Sequence, residues 1–270
     1  MEDTPPAGPG LREIIRGVLE TLLWDVQCIG RWFINRARPA NVHAARLRRH
    51  GFVVIPDFLD RDTCDRLCSS VVDLVSTDTR SGRVNLAGRA YADVRNSFDG
   101  EKNYDTGMID IFHVDEALPD EPIFSEFKRS KIVADIIKQA AGTSPTAKSV
   151  NVYVNRDATV PRSLHADSLN QVQFKSFVYL SDVLSDADGP YSFVPRTQRP
   201  NIYRYLNLVR NLVRGSPITD MRIAPTWRRV KFVAPKGSLI VTNQRGFHGG
   251  EPQKPNHERV LVVANWVGEP

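Results

Sequence analysis

Apolar residues recur at three- and four-residue steps through Leu11, Ile15, Val18, Leu22, Val26, Ile29 and Phe33, a spacing that predicts an amphipathic helix of about six turns. Glu20, Asp25 and Arg31 interrupt its stripe, and Arg38-Pro39 ends it. Val42 to His50 reads as a second short helix and Phe52 to Ile55 as a first strand. Asp60 is a good N-cap for a helix over Asp62 to Val75, where Cys64 and Cys68 share one face as small buried hydrophobes. From Ser76 to Gly107 the text turns polar and glycine-containing, which predicts a long loop near the mouth of a pocket. Ile123 to Ala141 reads as one helix, closed by Gly142 as a left-handed cap.

Beyond Ser149 the period falls to two. Val150-Asn-Val-Tyr-Val-Asn sets Asn151, Tyr153 and Asn155 on one face and three valines on the other, so valines packed against helices leave the polar face lining the interior. Gln173 to Leu180 is another strand, with Lys175 open between an edge and an interior placement. Further strands are predicted at Lys236-Gly-Ser-Leu-Ile-Val-Thr-Asn and at Arg259-Val-Leu-Val-Val-Ala-Asn-Trp. Asn201 to Gly215 interposes an amphipathic helix, with Tyr203, Leu206, Val209, Leu212 and Val213 set against Arg204, Arg210 and Arg214. The pattern predicts a mainly β fold with flanking helices.

Composition narrows this picture. The chain has 270 residues at 41% hydrophobic content, enough for one substantial core and one domain. Residues 1–10 are Pro/Gly-rich and read as a disordered tail. Residues 11–50 read as helices packed on a barrel, with a dimer face or a membrane surface as alternatives for the first of them; oligomeric state is left open. Three cysteines without a Cys-x-x-Cys predict reduced thiols and a cytoplasmic setting. Net charge is +5, yet the arginines are scattered without interleaved aromatics, so no nucleic-acid partner is expected. No uncharged run approaches the ~18 residues of a transmembrane segment, and early acids argue against a signal peptide.

Candidate chemistry sits in two short stretches: His165-Ala-Asp167, and His248 within Asn243-Gln-Arg-Gly-Phe-His-Gly-Gly. In an extended segment residues i and i+2 point the same way, so His165 and Asp167 reach one ion together while Ala166 faces away. His248 follows a predicted strand and supplies a second imidazole. Two histidines and one carboxylate on one face, with other positions open, are how non-haem Fe(II) oxygenases hold their metal. His113-Val-Asp115 repeats the spacing but runs into an acidic, Pro-containing turn and reads as structural. Arg259 opens an apolar strand, and a buried guanidinium needs a partner; a bidentate carboxylate fits its fork, the alternative being a strand-end head that reaches water.

From Gly51 to Trp266 the chain resembles the phytanoyl-CoA dioxygenase-like family of 2-oxoglutarate oxygenases. The similarity is carried by Gly51-Phe-Val-Val-Ile-Pro-Asp-Phe-Leu-Asp, His165-Ala-Asp167, Asp188-Gly-Pro-Tyr-Ser-Phe-Val-Pro and Lys236-Gly-Ser-Leu-Ile-Val before the distal histidine. The resemblance implies a double-stranded β-helix (jelly-roll, cupin-like) domain over 51–270, and the Asn201 to Gly215 helix between the two ligand stretches makes 199–231 a lid-like insertion expected to cover the substrate. It also implies Fe(II) held by His165, Asp167 and His248, with 2-oxoglutarate and O2 as co-substrates and Arg259 on the far carboxylate of 2-oxoglutarate. Asn151 and Tyr153 become candidates to touch 2-oxoglutarate, or else are ordinary polar residues beside the ladder. Where relatives continue Pro-Gly-Ser-His, this chain has Pro195-Arg-Thr-Gln198, a change on the substrate side. Basic residues are dense from Arg196 to Lys231, and Arg196, Arg199 and Arg204 are candidates for an acidic group on a small-molecule substrate. Asp167 stands where halogenating relatives carry a small residue, which favours hydroxylation or a related C–H oxidation. An O2-independent isomerase or epimerase, or a catalytically silent ligand-binding relative, are the alternatives.

Overall fold

The longest strands are those with the most regular alternation. In a computed structural model, described over residues 11–34, 39–78, 84–86, 89–91, 108–161 and 163–268, β5 (Pro145–Arg156) pairs antiparallel with β11 (Glu258–Gly268), with one irregularity at Asn265/Trp266. They belong to a six-stranded antiparallel sheet, completed by β1 (Phe52–Ile55), β9 (Leu239–Asn243), β6 (Gln173–Tyr179) and β4 (Met108–Ile111) in the order β1-β9-β6-β11-β5-β4. A second sheet joins β10 (His248–Gly250), β7 (Tyr191–Phe193) and β8 (Val230–Lys231) in that order. Strands β2 (Val84–Leu86) and β3 (Arg89–Tyr91) make a separate pair within the segment expected to be a loop, most of which lies outside the described residues, as does the 1–10 tail.

The valines of β5 behave as their period dictates. Val150, Val152 and Val154 pack with Val260 and Val262 against helices α2 (Val42–His50), α3 (Arg61–Asp78), α5 (Pro122–Lys128) and α6 (Lys131–Ala141), through Leu47, Leu67, Phe124 and Ile136. Cys64 and Cys68 lie in this layer as expected, and burial raises both thiols, Cys64 to about 11. The helix expected as one piece over Ile123 to Ala141 is two. Ser130 breaks it, because its hydroxyl accepts a hydrogen bond from the Val133 N–H and caps α6 afresh. Gly142 does close α6, at φ 74°. His113 and Asp115 start α4 (Val114–Ala117), where Asp115 pairs with Lys128 at 2.8 Å.

Between the two sheets lie Phe177, Tyr179, Ile240, Leu261 and Val263 from the large one, against Phe193 and Phe232. A third layer backs the small sheet: Leu164, Ala166, Leu169, Val194 and Phe247 pack on Leu208 of α7 (Ile202–Arg214) and Val18 of α1 (Leu11–Ile34). The two helices also meet where Leu212 lies over Gly17.

The 199–231 stretch, expected to be lid-like, contributes α7 to this layer. Ala166 points toward α7, so α7 supports the His165–Asp167 segment from the face opposite its functional side chains. Within the 199–231 stretch, Asp220 instead bridges His165 as a short strand-like pairing.

Candidate metal centre

His165 and His248 exchange two backbone hydrogen bonds, each N–H donating to the other's carbonyl at 2.9 Å. The Asp167 N–H donates to the Gln244 carbonyl at 3.0 Å, and Ala166 to Thr219 on the other side at 2.9 Å. The His-Ala-Asp segment is thereby extended and held between two neighbours, and its alternation carries His165 and Asp167 to one side together. Gly246 makes the approach of His248 feasible, since a Cβ there would stand 2.0 Å from the Phe193 ring.

One ligand atom from each of His165, Asp167 and His248 lies within 4.8 Å of the others. In both imidazoles Nδ1 sits 2.9 Å from the carbonyl two residues earlier, Ser163 for His165 and Gly246 for His248. An Nδ1–H donated there leaves Nε2 with a free lone pair, and the two Nε2 atoms are 3.3 and 3.5 Å from Asp167 Oδ1. Burial and the neighbouring His165 bring the His248 pKa down to about 4, so its ring is neutral at ordinary pH. Tyr191 stacks on it, with centroids 5.5 Å apart.

Asp167 Oδ2 takes the ammonium of Lys175 at 2.6 Å. Burial alone would push the Asp167 carboxyl up, but the Lys175 ammonium beside it holds it well below the usual carboxylate range. The donor set fits a divalent ion: two imidazole nitrogens and one carboxylate oxygen converge, with no fourth His, Cys, Asp or Glu closing the group among the described residues. Lys175 is the group that sequence reasoning left undecided. Its parity with Phe177, an inner-face residue of β6, was the available signal.

The inner face of β5 and β11 leads away from this cluster. Arg259 stands opposite Asn155, Leu261 opposite Tyr153 and Val263 opposite Asn151. Arg259 is 8% exposed and donates to the Asn155 side-chain oxygen at 2.9 Å, which fixes its fork. Asn155 was seen to share the polar face, but its hold on Arg259 needed the register. Asn151 accepts from the His113 N–H at 3.3 Å, and burial pushes the Tyr153 phenol up to about 12.

Of the three arginines expected to meet an acidic substrate, one lies in the interior and two at the end of α2. Arg204 is fully buried, donates to the carbonyls of Thr197 and Arg245 at 2.7 and 3.1 Å, and pairs with Asp25 of α1. A guanidinium so enclosed has no face for substrate. Arg199 donates to the Arg48 carbonyl at 3.2 Å and the Arg196 N–H to the His50 carbonyl at 3.0 Å, so both belong to the exposed C-terminal end of α2. Arg196 adopts φ 69°, the left-handed conformation that glycine takes without strain, at the position where the family resemblance expects glycine.

Facing antiparallel sheets with a His-Asp-His cluster fit the iron- and 2-oxoglutarate-dependent class of enzymes. The chain belongs to the phytanoyl-CoA dioxygenase (PhyH) family, whose profile matches residues 47–260. No curated protein sequence matches it. Among solved structures it is similar to the non-heme alpha ketoglutarate dependent epimerase SnoN from nogalamycin biosynthesis, at 19% identity and TM-score 0.58 over 84% of this chain and 79% of that one. The non-heme alpha ketoglutarate dependent carbocyclase SnoK matches at 17% and 0.58 over 85% and 84%. HygX from Streptomyces hygroscopicus, with nickel and 2-oxoglutarate bound, matches at 15% and 0.56 over 84% and 86%. Among the described residues, no helix is long and apolar enough to cross a membrane.

Proposed function

We propose that this protein is an Fe(II)/2-oxoglutarate-dependent dioxygenase that oxidises a C–H bond of a small molecule, hydroxylation being the expected outcome. The observation that carries the reading is the convergence of two histidine Nε2 atoms on one oxygen of Asp167, inside a chain of this family. On this reading the two facing sheets are a double-stranded β-helix, and His165, Asp167 and His248 are the metal ligands. Bound iron with 2-oxoglutarate and O2 supplies an oxidant for unactivated C–H bonds, releasing succinate and CO2.

The chain's own part is positioning. Lys175 occupies one Asp167 oxygen and leaves the other for the ion. Arg259, braced by Asn155, takes the far carboxylate of 2-oxoglutarate in a charge-assisted pair, with Tyr153 and Asn151 along the same wall. Phe177, Leu261 and Val263 keep that wall dry, which strengthens the pairing. The solved neighbours include SnoN in complex with nogalamycin RO and HygX with hygromycin B, which supports a small-molecule substrate here.

The test is succinate formation from 2-oxoglutarate in air, with Fe(II) and a panel of small molecules, followed by mass analysis of products. Substrate-dependent succinate with gain of one oxygen is expected, and His165→Ala or Asp167→Ala should abolish it. Substantial turnover by either variant refutes the assignment. Conversion that proceeds without O2 and leaves 2-oxoglutarate intact identifies an isomerase or epimerase instead.

A further inference from the structure

Three of the least exposed charged side chains meet behind the metal cluster: Asp25 at 2%, Arg204 at 0% and Arg245 at 5%. They come from distant parts of the chain. Asp25 Oδ1 is 2.5 Å from Arg245 Nη2 and 3.5 Å from Arg204 Nη1, and Oδ2 accepts from the Tyr205 hydroxyl at 2.6 Å. Asp25 is borne by α1, which precedes the stretch that matches the family, residues 47–260.

Arg245 is where this network meets the site. Its Nε donates to the Leu169 carbonyl at 3.2 Å, two residues past Asp167, while its own backbone lies three residues before His248. One side chain thus ties the loop carrying the carboxylate ligand to the loop carrying the distal imidazole. Its N–H is held by the Asn243 side chain at 3.0 Å, and its carbonyl accepts from Arg204, which also reaches the Thr197 carbonyl. Thr197 in turn accepts the Phe247 N–H at 2.8 Å through its hydroxyl, next to His248.

We propose that Asp25 is a positioning residue of the metal centre, and that α1 acts as a strap supplying the carboxylate that lets Arg245 and Arg204 stay buried while they lock the two ligand-bearing loops in register. The inference rests on the metal-site reading above. A buried guanidinium with its carboxylate removed seeks water, and here it would draw Leu169 and residues 243–248 with it. The ligands would remain in the sequence but lose their common focus. Supporting groups behind metal ligands are worth about 10- to 100-fold in metal affinity.

The measurement is Mn(II) affinity of the full chain, read from the electron paramagnetic resonance signal of the free ion, well below each variant's melting temperature. Asp25→Asn should weaken Mn(II) binding by at least about tenfold. Tyr205→Phe keeps every charge and removes one hydrogen bond to Asp25; it should weaken binding by about two- to fivefold with the fold intact. Arg16→Ala, on the exposed side of α1, should leave the affinity at the wild-type value. A purely architectural role would lower melting temperature in Asp25→Asn and Tyr205→Phe and leave Mn(II) affinity unchanged, and that result overturns the proposal. Should Asp25→Asn not fold, Tyr205→Phe decides alone. Wild-type protein that takes up no Mn(II) overturns the metal-site reading, and this inference with it.

Discussion

Lys175 Nζ lies 2.6 Å from one oxygen of Asp167, so the carboxylate has a single oxygen left for the point that His165 and His248 face. The pair is largely buried, with 20% and 16% of the two side chains exposed. Its ammonium sets the direction of a ligand and balances its charge before any ion arrives.

Lys175→Met should therefore destabilise the metal-free protein by about 3 kcal/mol, because Asp167 is left charged in a dry setting. Saturating Mn(II) should shrink that deficit, since the ion replaces the missing counter-charge. Thermal unfolding with and without Mn(II) checks this; an equal deficit in both conditions would show that the lysine acts through packing alone.

Arg259→Gln should weaken 2-oxoglutarate binding by at least about thirtyfold while Mn(II) affinity holds, because a desolvated charge pair is lost at a distance from the ligands. Lysine should fail to restore it, lacking the planar fork that Asn155 braces. Calorimetric titration with 2-oxoglutarate under argon separates the two effects. Parallel loss of metal affinity would place Arg259 in the cluster's support instead.

The pH dependence has a definite sign. His248 has its pKa lowered by burial to about 4, below its unfolded value of about 6.5. Between those values the unfolded chain binds the extra proton, so metal-free stability should fall as pH drops from about 6.5 toward about 4. His248→Asn should flatten this part of the profile in denaturant titrations, and an unchanged slope would assign the effect to another group.

Arg196 sits at φ 69° in an exposed turn. Arg196→Gly should raise stability by about 0.5–1 kcal/mol, the relief of left-handed strain outweighing the entropy of a freer unfolded chain. Substrate KM should not move, as the side chain belongs to the α2 end. A rise in KM would return this arginine to the pocket.

The metal cluster was legible because its signal is local. His165 and Asp167 need only an extended backbone, and His248 only the strand and small residues around it. Arg259 is marked by the apolar strand it opens, and the polar face of β5 follows from two-residue alternation. Asp25, Arg204 and Arg245 were not legible in the same way. In one helix Asp25 reads as a flaw in an apolar stripe, and its partners lie 179 and 220 positions away. Arg204, on the basic side of its amphipathic helix, reads as a candidate for an acidic substrate group for the same reason. The break at Ser130 was missed because apolar spacing continues across it, while a capping hydroxyl is visible only as hydrogen-bond geometry.

Both imidazoles take their orientation from a carbonyl two positions earlier in their own main chain. Evolution could rewrite the cavity walls to suit a new guest without re-aiming either ring, provided the peptide path is kept. One durable seat can then serve many chemistries, with novelty confined to its lining.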